Sequence, residues 1–343
     1  MSITYKDSGV DIDQANKAKT EMKSILKTDE KRVLNKVGAF SALYDIDFPE
    51  YKHPVLVLKT EEPGSKQLLA FQHDKIESVC YDTVNHLIND CIVMGAKPLT
   101  VQDAIICGKL ESDKVKRMVR AFASACEEQD CVLTGGETSE QPGVIPVGTY
   151  ILTTSIVGIA EKENIIDGTK ITAGDVVLGL ESSGLHTNGY TLIRKLIEQN
   201  PYIINEIIIG KTFLELILEP HRCYYQTIKD LFPRNIITGL AHITGGGIKE
   251  NLNRILPDNL DAEIVLSQYQ ILPIFKFIKN LAGLDDAEML RTFNMSVGLT
   301  MVVKPEHVGE VINHIKEKNV NCYEIGKIIP GNKEVKTINN LIW

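Results

Sequence analysis

Two periods of apolar and polar residues alternate along this chain. Residues 54–60, PVLVLKT, are a short β-branched and aliphatic run that predicts a buried strand. In 78–95, SVCYDTVNHLINDCIVMG, apolar side chains at 81, 84, 88, 91 and 92 recur at helical spacing, and Gly95 ends the stripe. Asp82, Asn85 and Asn89 line another side of that helix, with Asp90 alongside. A strand is expected at about 98–106, a helix at about 112–128, a short strand CVLTG, a glycine-rich turn GGETSEQPG (135–143) and a strand at 150–160. The second half restarts with a strand at 176–182, a loop SSGLHTNG and a helix from Tyr190. Helices follow at about 211–217 and 221–231, and in AHITGGGIKENL (241–252) three glycines precede another. Strands at 297–303 and 322–328 flank a helix at 305–318.

This order is mixed α/β, in two parts. Residues 161–175, EKENIIDGTKITAGD, are charged, turn-rich and poor in core residues, which marks a linker. The boundary is placed inside it, giving domains 1–165 and 166–343. A length of 343 residues suits two such domains better than one.

Composition narrows the function. The net charge of −8 argues against a dedicated nucleic-acid binder, which needs clustered cations. No apolar run approaches the roughly 20 residues of a bilayer span, and the N-terminus has no signal-peptide core. A cytoplasmic protein with neither nucleic-acid nor membrane partners is expected. Seven scattered cysteines without a CxxC pair predict reduced, buried thiols rather than zinc.

Several residues could carry chemistry. Asp82, Asn89, Asp103 and Glu137 offer hard oxygen ligands from different elements, a donor set suited to Mg²⁺ with phosphate. The solvated face of an amphipathic helix would explain Asp82 and Asn89 equally well. Asp103 sits inside an apolar strand, where a carboxylate needs a partner or a task. Gly135-Gly136-Glu137-Thr138 and Thr244-Gly245-Gly246-Gly247 could let backbone N–H groups approach an anion, or be plain turns. His186 stands in a polar loop, where it could bind substrate or transfer a proton, or simply cap the helix. Arg291 and Asn294 in RTFNMSVGL pose the same choice.

The stretches YKDSGVDID (5–13), NDCIVMGAKPL (89–99), GGETSEQPG (135–143), IIDG (165–168), SSGLHTNGY (182–190), EPHR (219–222), AHITGGGIKENL (241–252), ILPDN (255–259) and EMLRTFNMSVG (288–298) occur in that order. Together they resemble the motif series of the phosphoribosylformylglycinamidine cyclo-ligase (AIR synthetase) family over nearly the whole chain. The resemblance implies a two-domain α/β fold whose N-terminal sheets pair in a homodimer as a central barrel. It implies ATP-dependent, Mg²⁺-assisted closure of formylglycinamidine ribonucleotide to aminoimidazole ribonucleotide, releasing ADP and phosphate. The N-terminal domain would hold ATP and metal, and the C-terminal domain the ribonucleotide. Lys66, Asp103 and His186 would serve catalysis. Thr60, Gly64, Ser65, Lys66, Asn89, Gly135, Gly136, Glu137 and Thr138 would meet the nucleotide. Ser183, His186, Asn188, Thr244, Gly245 and Gly246 would meet the ribonucleotide, and Glu61, Asp82, Asp103 and Glu137 the metal.

The chain departs from the family pattern in three places. Thr-Asp-Gly-Val-Gly-Thr-Lys is here Thr60-Glu61-Glu62-Pro63-Gly64-Ser65-Lys66. Gly-Gly-Leu-Gly-Gly-Phe-Gly is here Asn35-Lys36-Val37-Gly38-Ala39-Phe40-Ser41, and Ile145–Thr149 replaces an acidic stretch. Pro63 removes a backbone donor, and Glu62 adds a charge facing any phosphate. These changes raise an alternative: a non-catalytic or repurposed nucleotide-binding relative acting as a regulatory or structural dimer partner. Thiamine-monophosphate kinase, selenophosphate synthetase and hydrogenase-maturation proteins share the architecture; the first cysteine, Cys80, stands too far from the N-terminus for selenophosphate synthetase, and the other two match the second-domain motifs less closely.

Overall fold

The computed structural model describes residues 25, 26, 28–35 and 39–343. The stretch at 5–13 and positions 36–38 lie outside the described residues. The chain divides into two units. One holds the chain up to Cys91 with Lys97–Glu161, and the other Ile92–Ala96 with Lys162–Trp343.

The first unit is a four-stranded sheet with helices on one face. Strands β1 (Pro54–Glu61), β2 (Lys97–Cys107), β3 (Val132–Glu140) and β4 (Tyr150–Glu161) lie in the order β1-β4-β2-β3. All neighbours are antiparallel except β2 and β3. Helices α1 (Lys66–Gln72), α2 (Ile76–Ile92) and α3 (Ser112–Glu127) accompany them. Alternation along β2 buries Val101, Asp103, Ile105 and Cys107, while Gln102 between them is exposed. The register puts Leu56, Leu58 and Thr60 beside Ile159, Val157 and Ser155 on the other face, where Leu56 and Leu58 stay 51% and 70% exposed. Only part of that face is covered, where Phe48 and Leu99 pack with Ile159.

One expectation is corrected here. GGETSE is not a turn: β3 runs on through it to Glu140, because its parallel partner β2 continues the ladder to Cys107. The turn begins only at Gln141.

The second unit centres on a six-stranded sheet in the order β12-β9-β11-β5-β10-β8, antiparallel except for the β9–β12 pair. Its strands are β5 (Val176–Glu181), β8 (Ile237–His242), β9 (Leu260–Val265), β10 (Val297–Val303), β11 (Cys322–Pro330) and β12 (Val335–Ile338). A short hairpin, β6 (Ile207–Ile208) with β7 (Lys211–Thr212), stands apart from this sheet. The helices are α4 (Tyr190–Gln199), α5 (Phe213–Ile217), α6 (Tyr225–Ile228), α7 (Gly247–Asn253), α8 (Pro273–Ala282), α9 (Asp286–Thr292) and α10 (Val308–Glu317). Every residue of β8 and β10 is buried, so neither shows a two-residue alternation. The expected linker is built into this unit. Ile166 and Ile171 are buried, and Asp175 accepts from Thr172 N, Thr238 Oγ1 (3.1 Å each) and Lys304 Nζ (2.8 Å). No helix of the described residues is long and apolar enough to cross a membrane.

Candidate functional site

In the first unit, β1 delivers the chain to a tight turn. Gly64 takes a left-handed φ of +62°, and α1 starts two residues later, at Lys66. Gln67 ties the turn down: its Nε2 donates to Gly64 O (3.0 Å) and its Oε1 accepts from Leu152 N (3.1 Å). Thr60 shares a hydrogen bond with Ser155 (2.9 Å) on the open face. Glu62 is exposed and Pro63 buried.

The carboxylates expected at the metal divide into two kinds. Asp82, from α2, pairs with Lys66 Nζ at 2.8 Å, with both side chains wholly buried. Glu61 lies 2.9 Å from Lys59 Nζ and 3.7 Å from His86 Nε2, and Lys59 also reaches Asp90 at 3.1 Å. Asp103 and Glu137 form no ion pair among the described residues. Asp103 is buried opposite Gly136, whose absent side chain leaves room: a Cβ there would lie 2.4 Å from Asp103 Oδ1. Burial pushes the Asp103 carboxyl up to about 7, and the charge of Glu137 adds to the rise. Glu137, one residue on, leaves the strand toward the other face. Among the described residues, the four carboxylates form no group of three with ligand atoms within 4.8 Å of one another. Asn89 is buried on α2, seven residues beyond Asp82. Gly135 (φ +140°) and Thr138 lie on β3.

In the second unit, two loops meet at the ends of β5 and β8. Ser182–Gly189 links β5 to α4. Gly189 has a φ of +81°, and a Cβ on it would strike the Phe293 ring at 2.2 Å. Asn294 braces this loop, accepting from Ser182 Oγ (3.1 Å) and Ser296 N (3.0 Å) and donating to Gly184 O (2.8 Å). Thr244–Gly247 follows β8 and opens the short helix α7. Asn251 holds this turn, accepting from Thr244 Oγ1 (3.1 Å) and donating to Gly245 O (3.1 Å) and Gly247 O (2.9 Å). Gly246 and Gly247 both have positive φ, and a Cβ on Gly247 would lie 2.1 Å from Leu290 O. The two loops touch where Asn188 Oδ1 comes within 3.3 Å of the Cβ position at Gly245.

Ser183 and Asn188 are partly exposed at this junction, whereas His186 is 1% exposed beneath it. The His186 Nε2 accepts from Ser183 N (3.2 Å), and its ring stacks on His221 with centroids 3.8 Å apart. His221 in turn shares a 2.9 Å Nε2–Nε2 hydrogen bond with His242, the last residue of β8. His221 and His242 were not singled out from sequence, although both stand in motif stretches, EPHR and AHITGGG.

Comparison with known proteins follows the same division. Residues 42–160 match the model of AIR synthase related protein, N-terminal domain, and 172–339 that of AIR synthase related protein, C-terminal domain. The phosphoribosylformylglycinamidine cyclo-ligase of Neisseria meningitidis serogroup C (strain 053442) is 42% identical over 329 residues, covering 95% of each chain. That of Caldanaerobacter subterraneus subsp. tengcongensis is 43% identical over 333 residues, covering 96% of this chain and 98% of the relative. Among solved structures, thiamine-monophosphate kinase from Stenotrophomonas maltophilia K279a superposes with a TM-score of 0.69 at 14% identity, covering 95% and 96% of the two chains. E. coli HypE superposes at 0.68 and 17%, covering 95% and 94%. Hydrogenase maturation protein HypE in complex with ATP superposes at 0.64 and 16%, covering 90% and 87%. These three show the fold alone. With full-length identity to the cyclo-ligases and both domain models matched, the chain belongs to the phosphoribosylformylglycinamidine cyclo-ligase (AIR synthetase) family.

Proposed function

We propose that the chain closes formylglycinamidine ribonucleotide to aminoimidazole ribonucleotide, converting ATP to ADP and phosphate, in purine biosynthesis. The observation that carries this reading is full-length identity above 40% to phosphoribosylformylglycinamidine cyclo-ligases, with the SSGLHTNG loop and the TGGG turn meeting at Asn188 and Gly245. An amide oxygen leaves poorly, so ATP phosphorylates it. An amidine nitrogen of the same molecule then attacks the activated carbon, and phosphate departs with the former amide oxygen. The protein's main work in such a reaction is positioning and charge neutralisation.

The first unit supplies the ATP side. Asp103, buried and without an ion pair among the described residues, is the donor for Mg²⁺ on this reading, while Glu137, on the other face of the strand pair, is left to the nucleotide. The fit is supported by hard oxygen atoms and by a buried Asp103 carboxyl that a cation would return to its charged form. The ion, when bound, screens the phosphate charges from these carboxylates. Thr60, Gly64, Ser65, Asn89, Gly135, Gly136 and Thr138 surround the nucleotide on this reading, with Glu61 at its edge. Lys66 and Asp82, neutralising each other in the interior, hold the turn in place. The second unit supplies the ribonucleotide side through Ser183, Asn188, Thr244, Gly245 and Gly246. His186 serves from below the loop surface.

The chain acts as a homodimer on this reading, paired through the open sheet face that bears Leu56 and Leu58. The test is to mix the protein with Mg·ATP and formylglycinamidine ribonucleotide and follow both products. ADP and aminoimidazole ribonucleotide are expected in equal amounts. ADP without the imidazole, or no ADP at all, would sink the assignment.

A further inference from the structure

Three buried imidazoles lie where the two loops of the second unit converge, and their ring nitrogens come within 4.8 Å of one another. Such a group could suggest a metal centre, but distance decides against it. Two nitrogens on one tetrahedral zinc stand roughly 3.3 Å apart, as Zn–N bonds of about 2.05 Å require. His221 Nε2 and His242 Nε2 are 2.9 Å apart, hydrogen-bonded to each other, and the His186 and His221 rings are stacked with an interplanar angle of 23°. A proton fits between the first pair, and no ion fits between stacked ring faces.

We infer that His221 is a positioning residue that locks the two ribonucleotide loops to each other. Its ring face carries His186, in the loop that bears Ser183 and Asn188. Its ring edge carries His242, two residues before Thr244. His186 is itself held in one state. The Ser183 N–H can only donate, so His186 Nε2 must be bare and the neutral ring keeps its proton on Nδ1. The His186 backbone is left-handed (φ +60°), a conformation unfavourable for a non-glycine residue that persists only where surroundings impose it. Gly298 makes the space: a Cβ there would lie 2.5 Å from His186 Cε1 and 2.0 Å from Tyr224 Oη. His221 thus joins two segments distant in sequence, acting through a stack on one side and a shared proton on the other.

This inference rests on the proposed assignment of both loops to the ribonucleotide, and two variants of His221 separate its contacts. His221→Phe keeps the stack and removes the hydrogen bond, while His221→Gln keeps a polar edge and removes the stack. In the full-length protein, each is expected to raise KM for formylglycinamidine ribonucleotide by about 10- to 100-fold, since a displacement of an ångström is enough for such losses. KM for ATP is expected to stay within about twofold. Amide exchange should quicken in 182–189 and 244–247 together. A ribonucleotide KM unchanged in both variants, or exchange that quickens in one loop alone, would overturn the inference. Asn188→Ala tests the underlying assignment separately. If Asn188→Ala binds the ribonucleotide weakly and the His221 variants bind it normally, only the inference fails. If Asn188→Ala also binds normally, the loop assignment fails with it.

Discussion

Lys66 shows how far a single residue can be understood from its type and place. Its position after the glycine turn suggested a phosphate contact, but its Nζ turns inward to Asp82 with both groups wholly buried. Removing one partner of such a pair strands a charge in the interior and costs about 3–5 kcal/mol, whereas replacing both by apolar residues is often neutral. Lys66→Met is therefore expected to lower unfolding stability by that amount, and Lys66→Met with Asp82→Leu to recover most of it, as read by denaturant titration. If the double variant stays as unstable as the single one, the pair is not what holds the turn. Glu62 is the opposite case, since it is exposed. A charge pair at about 4 Å is worth only about 1 kcal/mol in water, so Glu62→Gly with Pro63→Val should change Mg·ATP affinity less than about fivefold by calorimetry. A larger gain would place both residues against the phosphates. Residue types alone flagged Asp82, Asp103, Glu137 and His186. They could not show that Asp82 already had a buried partner sixteen residues upstream, or that His186 stacks on a second histidine, His221, because both facts come from packing between distant segments.

At the scale of elements, the connection that carries the chain from β11 past β9 to β12 depends on one carboxylate. Asp261, on β9, accepts from Asn332 N (2.7 Å), Glu334 N (2.8 Å) and Lys336 Nζ (2.6 Å), and Gly331 leaves it space: a Cβ there would sit 1.9 Å from its carboxyl carbon. The Lys336 hydrogen bond and the backbone donors hold its pKa down at about 2, against an ordinary 3.8. A lowered carboxyl stabilises the fold above its unfolded pKa and ceases to as pH falls through the folded value. Asp261→Asn should therefore melt lower than the parent at pH 7, with the gap closing between about pH 4 and 2. A gap that persists unchanged at pH 3 would refute the role. Much at this scale was legible. The runs near 54, 98, 150, 176 and 297 became strands and the stripe at 78–95 became α2, because unbroken apolar β-branched and aliphatic runs and helical spacing are both visible along the chain. Strand β8, ITGLAH, was not anticipated: Thr238, Gly239, Ala241 and His242 break up its apolar run, and burial throughout leaves no alternation. Strand β9 and helices α1, α8 and α9 escaped for a related reason. They are six to ten residues long, with too few turns or alternations for a period to stand out.

For the molecule as a whole, the open face of the first sheet is the feature most exposed to test. Leu56 and Leu58 stand out from an edge strand, and a row of exposed aliphatic residues there favours pairing with a second sheet. Leu58→Arg is expected to shift the protein from dimer to monomer in light scattering, with its far-ultraviolet dichroism unchanged. A parent protein that is already monomeric would remove this face from consideration. The two-part α/β architecture was visible in the order of elements, but the assignment of Ile92–Ala96 to the second unit was not. The stretch after Glu161 looked like a tether because it is polar, and only the structure shows Asp175 fastened to Thr238 and Lys304.

The inward-facing Lys66 also makes a built-in probe of how the protein opens. It is the only lysine buried among the described residues. An amine-reactive reagent should modify the other described lysines of the native protein while sparing this one. Labelling at Lys66 would begin only when α1 lifts away from α2. Its rate, followed by mass spectrometry with the part-exposed Lys304 as a reference for labelling of the native protein, would time the opening of the first unit.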